Sequence, residues 1–281
     1  MTAVREVSAD LASPRGGLLV RILPPTLYAG RARMLIVRGS LASRSAWLAI
    51  FSGFFEPLFF LLAMGQGLGS LVGGVVGPGG QPLTYAAFIA PGLLAASAMN
   101  GAVYESTFTF FFKLKYGKLY DAILVTPLGP VDIALGEIGW SLIRGGLYAV
   151  GFLGVMLAFG LISSPWALLA LPAALFVAFA FASIGMAATS FMRSWQDFDL
   201  VQLAVLPMFL FSGTFFPLSV YPPALQWVVQ AFPLYHAVEL MRGLTTGVVG
   251  WSTLTHMMYF AVMAALGVVV AARRLKSLLL Q

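Results

Sequence analysis

The chain has 281 residues, 60% hydrophobic and only 9% charged, where a soluble domain is about a quarter charged. That balance excludes a water-soluble globular fold and reads as an all-α integral membrane protein. Cysteine is absent, which excludes disulfides and thiolate metal sites, and two histidines alone make a poor metal set.

The first 45 residues form an arm with seven arginines, and no cleavable leader is expected, because Arg21 and two prolines interrupt "GGLLVRILPP". From 27 to 44 the spacing is helical. Leu27, Gly30, Met34, Val37 and Leu41 share one arc, flanked by Arg31 and Arg38 on one side and by Arg33 and Arg44 on the other; Leu35 and Ile36 break the pattern. Such a helix is expected in the cytoplasmic headgroup layer, its stripe in the acyl boundary and its arginines at phosphates. A solvated basic tail would explain the charges but not the stripe.

Six apolar runs then reach the length of about 20 residues that a bilayer core requires: 46–68, 84–111, 131–161, 166–192, 199–218 and 251–272. Trp47, Tyr85, Trp166 and Trp251 mark span ends, where interfacial aromatics belong. Of the sixteen Lys and Arg, fourteen fall in the arm, the 112–130 loop, the 193–198 loop and the basic tail 273–281; Arg242 alone lies on the other side and Arg144 within a span. The positive-inside rule therefore places both termini in the cytoplasm. No repeat relates the two three-helix halves, which counts against a transporter built from inverted repeats.

Two ionisable residues stand inside spans. Glu56 in "FFEPLFF" and Arg144 in "SLIRGG" each fall roughly 15 Å deep at 1.5 Å per residue. Intramembrane charges face the protein interior and find partners, so an ion pair between the first and third spans is expected, with substrate-pathway lining as the alternative. Pro57, Pro91, Pro172 and Pro207 also stand inside spans, where bilayer helices tolerate them.

The connector "KLKYGKLYDAILVTPLGP", 113–130, carries three lysines and one aspartate between apolar runs. Gly117 ends one helical piece; Leu119, Ala122, Ile123 and Thr126 then share a face opposite Lys118 and Asp121, Pro127 stops the helix and Pro130 restarts the chain. The pattern predicts a short amphipathic helix over about 113–127 at the cytoplasmic surface. The segment 213–250 is too long and apolar for a plain loop, yet Pro217, Pro222, Pro223 and Pro233 cut it below spanning length, so short re-entrant or interfacial helices are expected between spans five and six. His236, Glu239 and Arg242 sit at i, i+3 and i+6 there and are expected to hydrogen-bond locally rather than bind metal or move protons. His256, lone on the sixth span, reads as a packing residue.

Two blocks carry a resemblance. "VYESTF", followed by "KLKYGKLYDAILVTPLGPVDIALGE", resembles the first cytoplasmic region of the ABC-2 type exporter permeases, in which a Glu near the end of span two precedes a short helix, a TP turn and a Gly-Glu or Gly-Lys pair entering span three. "FLFSGTFFPLSVYPPALQWVVQAFPLYHAVELMRG", 209–243, resembles that family's block after span five: S-G-x-x-F-P, a further proline, F-P-L and E-x-x-R.

The resemblance implies a non-catalytic permease subunit with one six-span domain, 46–272. Its partners would be a second permease unit, identical or paralogous, and two copies of a cytoplasmic ATP-binding subunit that holds ATP and Mg. No nucleic acid or cofactor is implied for this chain, and it contains no G-x-x-x-x-G-K-[ST] phosphate loop. Lys118, Leu119, Tyr120, Asp121, Ile123, Leu124, Thr126 and Pro127 would form the coupling helix, its apolar face packed in a groove of the ATPase, with Glu105 and Glu137 supporting it. Phe215, Phe216, Pro217, Pro233, His236, Glu239 and Arg242 would cap the outer mouth. The implied activity is export of a hydrophobic or amphiphilic substrate (drug, lipid or lipid-linked glycan) across the plasma membrane, in contact with membrane lipid. The alternative is an ion-coupled secondary transporter or channel. An integral membrane enzyme is a weaker alternative, because the chain has no H-E-x-x-H or G-x-S-x-G and its one close carboxylate pair, Asp197 and Asp199, reads as a loop cap.

Overall fold

The computed structural model describes residues 29–43 and 55–279. Helix α1 (Arg33–Ala42) comes first, then α2 (Phe55–Val72). A hairpin of β1 (Gly74–Val76) and β2 (Pro82–Thr84) leads to α3 (Tyr85–Lys115). The short α4 (Leu119–Leu124) precedes α5 (Pro130–Ala158) and α6 (Pro165–Thr189). Helices α7 (Phe198–Leu210), α8 (Pro223–Ala231) and α9 (Pro233–Thr246) follow, and α10 (Trp251–Leu279) closes the order. Arg273, Arg274 and Lys276, expected in a separate tail, lie on the last turns of α10.

Five of these helices, α2, α3, α5, α6 and α10, are long and apolar enough to cross a membrane. The run expected at 199–218 is not. Its helix α7 holds 13 residues, about 20 Å at 1.5 Å per residue against a core of about 30 Å. Pro207 lies within its last turn, Phe211 leaves helical geometry, and Gly213 turns the chain at φ +73°. The start of the first expected run, including Trp47, lies outside the described residues, as do Leu27 and Arg44 of the arm.

The described residues are mostly helical, as expected; the exception is the hairpin, whose strands pair antiparallel as Gly74↔Thr84, Val75↔Leu83 and Val76↔Pro82. Its sequence, "GGVVGPGGQPLT", explains the change: glycine and proline forbid continued helix, while Gly79 and Gly80 take positive φ in the turn.

Helix α3 runs through the centre, with Ile89, Ala90, Leu93, Ala95, Ala98, Met99 and Ala102 fully buried. Small residues permit the close crossings that membrane helices use when lipid supplies no hydrophobic drive. A Cβ added to Gly101 would come 3.0 Å from the Cα of Gly145 on α5, and one added to Gly267 of α10 would come 2.7 Å from Ser183 of α6.

Helix α1 docks on the start of α5. Leu35 is buried, and Leu35, Ile36 and Gly39 sit against Gly136, Gly139 and Trp140 respectively. The two residues that interrupt the stripe are therefore those that seat the helix. Met34, Val37 and Leu41, the stripe itself, are exposed.

Candidate functional site

Among the described residues the ion pairs gather at two places. At the inner one, α3 widens into a π-helical turn over Glu105–Thr109, a distortion that frees backbone carbonyls and concentrates at functional positions. The carbonyl of Ser106 accepts the Thr189 hydroxyl of α6 at 3.2 Å. The turn holds Glu105 3% exposed. Its Oε2 accepts Nη1 of Arg144 at 2.8 Å and the Thr109 hydroxyl at 3.3 Å; its Oε1 accepts Nζ of Lys113 at 3.4 Å. Lys113 also donates to Oε2 of Glu137 at 2.7 Å. Arg144 lies over the Tyr104 ring, 4.7 Å from its centroid, and its Nε donates to the Tyr148 hydroxyl at 3.3 Å.

The result is an alternating chain, Glu137–Lys113–Glu105–Arg144, running from the α4 end of α3 and α5 into the span. Two carboxylates and two cations balance, which is how charge is tolerated at membrane depth. The expected Glu56–Arg144 pair does not form. Glu56 is exposed on α2, and Arg144 instead reaches Glu105, because the π-helical turn presents that carboxylate to α5.

Below the chain sits α4. It spans six residues rather than the expected 113–127, because Lys113 and Lys115 complete α3 and Lys118 takes a left-handed φ of 43° that separates the two helices. Tyr120 and Ile123 are buried in the chain's own core, with the Tyr120 ring on Phe110 at 5.3 Å. The Tyr120 hydroxyl makes no hydrogen bond among the described residues; burial, followed by the charge of the nearby Glu137, pushes its pKa well up. Leu119 and Leu124 are half-buried, whereas Lys118, Asp121, Thr126 and Pro127 are exposed. The apolar face expected from Leu119, Ala122, Ile123 and Thr126 is therefore divided. Ala122 and Val125 join these exposed residues, with Val125 88% exposed.

Asp132 was not legible as a site residue. Fully buried in the first turn of α5, it accepts the backbone N–H of Ala29 (2.6 Å), Arg31 (2.8 Å) and Gly129 (3.0 Å), fastening the arm to the helix start. The only sequence signal is an acid three residues after Gly129, in the first turn that Pro130 opens, an ordinary N-terminal feature.

At the outer place a single cation dominates. Arg242 of α9 is 3% exposed. Its Nη1 donates to Glu239 at 2.6 Å, Nη2 to the carbonyls of Gly213 (2.8 Å) and Phe88 (3.3 Å), and Nε to Phe88 at 3.4 Å; its guanidinium stacks 4.0 Å over the Phe88 ring. The 211–217 turn is further seated by Tyr85, whose hydroxyl donates to the Phe215 carbonyl, and by Gly92, where a Cβ would meet Thr214 at 2.8 Å. Phe215 is buried, Phe216 exposed, and Pro217 and Pro233 half-buried.

His236 does not join Glu239 and Arg242. It meets His256, the expected lone packing residue of α10, with Nδ1 atoms 2.9 Å apart. Twenty residues of separation hid that contact from sequence spacing.

The ABC-2 type transporter family model matches residues 31–246. "Nodulation protein J" of Rhizobium leguminosarum bv. viciae is 35% identical over 77% of this chain and 83% of its own length. "Nodulation protein J" of Rhizobium meliloti is 33% identical over 75% and 79%. "Inner membrane transport permease YadH" of Escherichia coli is 28% identical over 66% and 70%.

Proposed function

Because the chain belongs to the ABC-2 type transporter family, a family of membrane transport permeases, we propose that it is the transmembrane half of an ATP-driven exporter whose ATP is hydrolysed by a separate cytoplasmic subunit. The observation that carries this reading is the chain Glu137–Lys113–Glu105–Arg144 directly above α4, with both carboxylates buried and both cations partly so. Force applied to α4 from the cytoplasm reaches a charge array spanning α3 and α5, and an array of alternating side chains has more than one way to pair.

In this reading the 113–127 region, with Lys118, Leu119, Tyr120, Asp121, Ile123, Leu124, Thr126 and Pro127, is the coupling element, its ATPase contact centred on exposed Val125. Glu105 and Glu137 transmit its position. The α7–turn–α9 region counts as the fifth crossing and outer cap of a six-span unit, with both termini cytoplasmic in an inner or plasma membrane. Two such units and two ATPase copies, the latter holding ATP and Mg, complete the machine. The exposed apolar faces of α2 (Phe59, Leu62, Leu71) and α7 (Leu200, Leu203, Leu206) would meet lipid or the second unit. The substrate class is hydrophobic or amphiphilic, moved outward.

The test is copurification of this chain with candidate ATPase subunits, followed by ATP turnover against a panel of lipids and drugs. A stable complex whose turnover rises with an amphiphile supports the reading; transport driven by an ion gradient without any ATPase overturns it.

A further inference from the structure

The two histidines are the only ones in the chain, and the fold brings them into direct contact between α9 and α10. With Nδ1 to Nδ1 at 2.9 Å, one ring must donate and the other must accept, so at least one imidazole keeps an unprotonated Nδ1. The rings are held in that pose from several sides. Tyr259 of α10 lies against His236 with centroids 4.1 Å apart and an interplanar angle of 31°, while Tyr235 of α9 meets both rings edge-on at 5.6 and 6.4 Å.

The charged and titratable groups around the pair are few. Glu239 of α9 acts on His256, but it is engaged by Arg242 at 2.6 Å. The Tyr235 phenol is pushed up to about 12, mainly by burial, so it brings no charge near neutral pH, and Tyr259 adds a second phenol. The Gln230 backbone at the end of α8 also faces His236, favouring its charged form. From α6, Phe181 reaches Phe260 beside the pair and brings no charge.

We propose that His236 and His256 form a proton-binding latch that holds α9 to α10 while the pair carries no more than one proton on its facing nitrogens and releases it when both rings are charged. The proton count follows from the geometry. One proton between two facing nitrogens makes an N–H···N bond; a second leaves two donors and two positive charges head to head. The same Arg242 that fixes α9 to α3 and to the 211–217 turn makes α10 the side on which α9 can come free. Under the orientation proposed above, the latch faces the outside, so external acid is its ligand; the site itself does not depend on that orientation.

The sign is consistent for His236, whose pKa is lowered first by burial and then by the positive charge of His256. A group depressed in the folded state contributes stability above its unfolded pKa and loses it as pH falls through the folded value.

The experiment uses full-length protein in nanodiscs, purified through a tag without histidine and labelled with 15N-histidine, so that ring spectra report this pair alone. Two titration steps separated by more than about one pH unit are expected, the signature of coupled sites, collapsing to one step in His236→Gln and in His256→Gln. Exchange protection of the 233–246 amides, corrected for the intrinsic pH dependence of exchange, should fall about tenfold per pH unit below the second step. Two superimposable titrations at the ordinary histidine value, with protection of 233–246 unchanged by acid, overturn the latch. Wild-type spectra decide even if the variants misfold. Neither readout requires ATP or substrate, so the exporter reading stands or falls separately.

Discussion

The inner and outer charge sites use arginine in opposite ways. At the outer site Arg242 holds backbone: the carbonyls of Phe88 and Gly213 come from two different elements, and only Glu239 is a side-chain hydrogen-bond partner. Carbonyls do not exchange partners without refolding, so this contact is a fixed anchor. At the inner site every link in Glu137–Lys113–Glu105–Arg144 joins two side chains. Such a chain can re-pair when α4 shifts, at little cost if each ion keeps a partner. The lesson is that burial alone does not assign a role to a membrane charge; whether its partner is backbone or side chain separates an anchor from a relay.

The largest effect expected from this contrast is at the anchor. Arg242→Ala removes the cation from a buried pair and orphans two carbonyls, at a cost of about 3–5 kcal/mol. It should appear as loss of folded protein in a detergent thermal-stability assay, and Arg242→Lys should recover only part of it, because one ammonium cannot reproduce the planar fork. Full recovery by lysine would show that charge alone, not shape, fixes the outer block.

Next comes the relay. Glu105→Ala leaves Arg144 without its carboxylate while Lys113 keeps Glu137, so a loss of about 3 kcal/mol, the lower end for a broken buried pair, is expected. The sharper readout is coupling: Glu105→Gln should retain ATPase binding and lose substrate stimulation of turnover. Stimulation that survives in Glu105→Gln would remove the inner site from coupling.

Smaller still is the effect of Tyr120→Phe. Deleting a buried hydroxyl that makes no hydrogen bond should leave stability unchanged or raise it by up to about 1 kcal/mol. A loss of thermal stability instead would mean that the phenol is paired with Glu137 in the working protein. Least of all is Asp197→Asn on the exposed turn before α7. The N–H groups of Arg193 and Ser194 lower the Asp197 pKa, so its contribution exists above the ordinary carboxylate range and vanishes as pH falls through the lowered value. Wild type and variant should therefore have the same thermal midpoint at acid pH and differ slightly at neutral pH.

Much of this architecture could be read from residues. Continuous apolar runs gave five helices of spanning length, and Gly117 and Pro130 marked real breaks, because length and helix-breaking chemistry are local properties. The failures share a different cause. Arg144 was matched to Glu56 by depth along straight helices, and a π-helical turn that no periodicity reveals delivered Glu105 instead. Leu35 and Ile36 looked like flaws in an interfacial stripe because their partners, Gly136 and Gly139, lie a hundred residues away. His236 and His256 were read singly for the same reason. Ile123 appeared to be on the free face of the coupling helix, but a six-residue helix seated on Tyr120 turns it inward, leaving Val125 outermost.

Val125 therefore offers the most direct test of the central claim that α4 passes motion from a separate ATPase to the buried charge chain. The measurement is ATPase capture and ATP-dependent substrate export by Val125→Asp in proteoliposomes beside wild type. Val125 touches solvent, so stability should move by no more than about 0.5 kcal/mol. The account predicts normal insertion and folding with export reduced at least about tenfold, a loss of about 1.4 kcal/mol of coupling. Wild-type capture and wild-type export by Val125→Asp would contradict it.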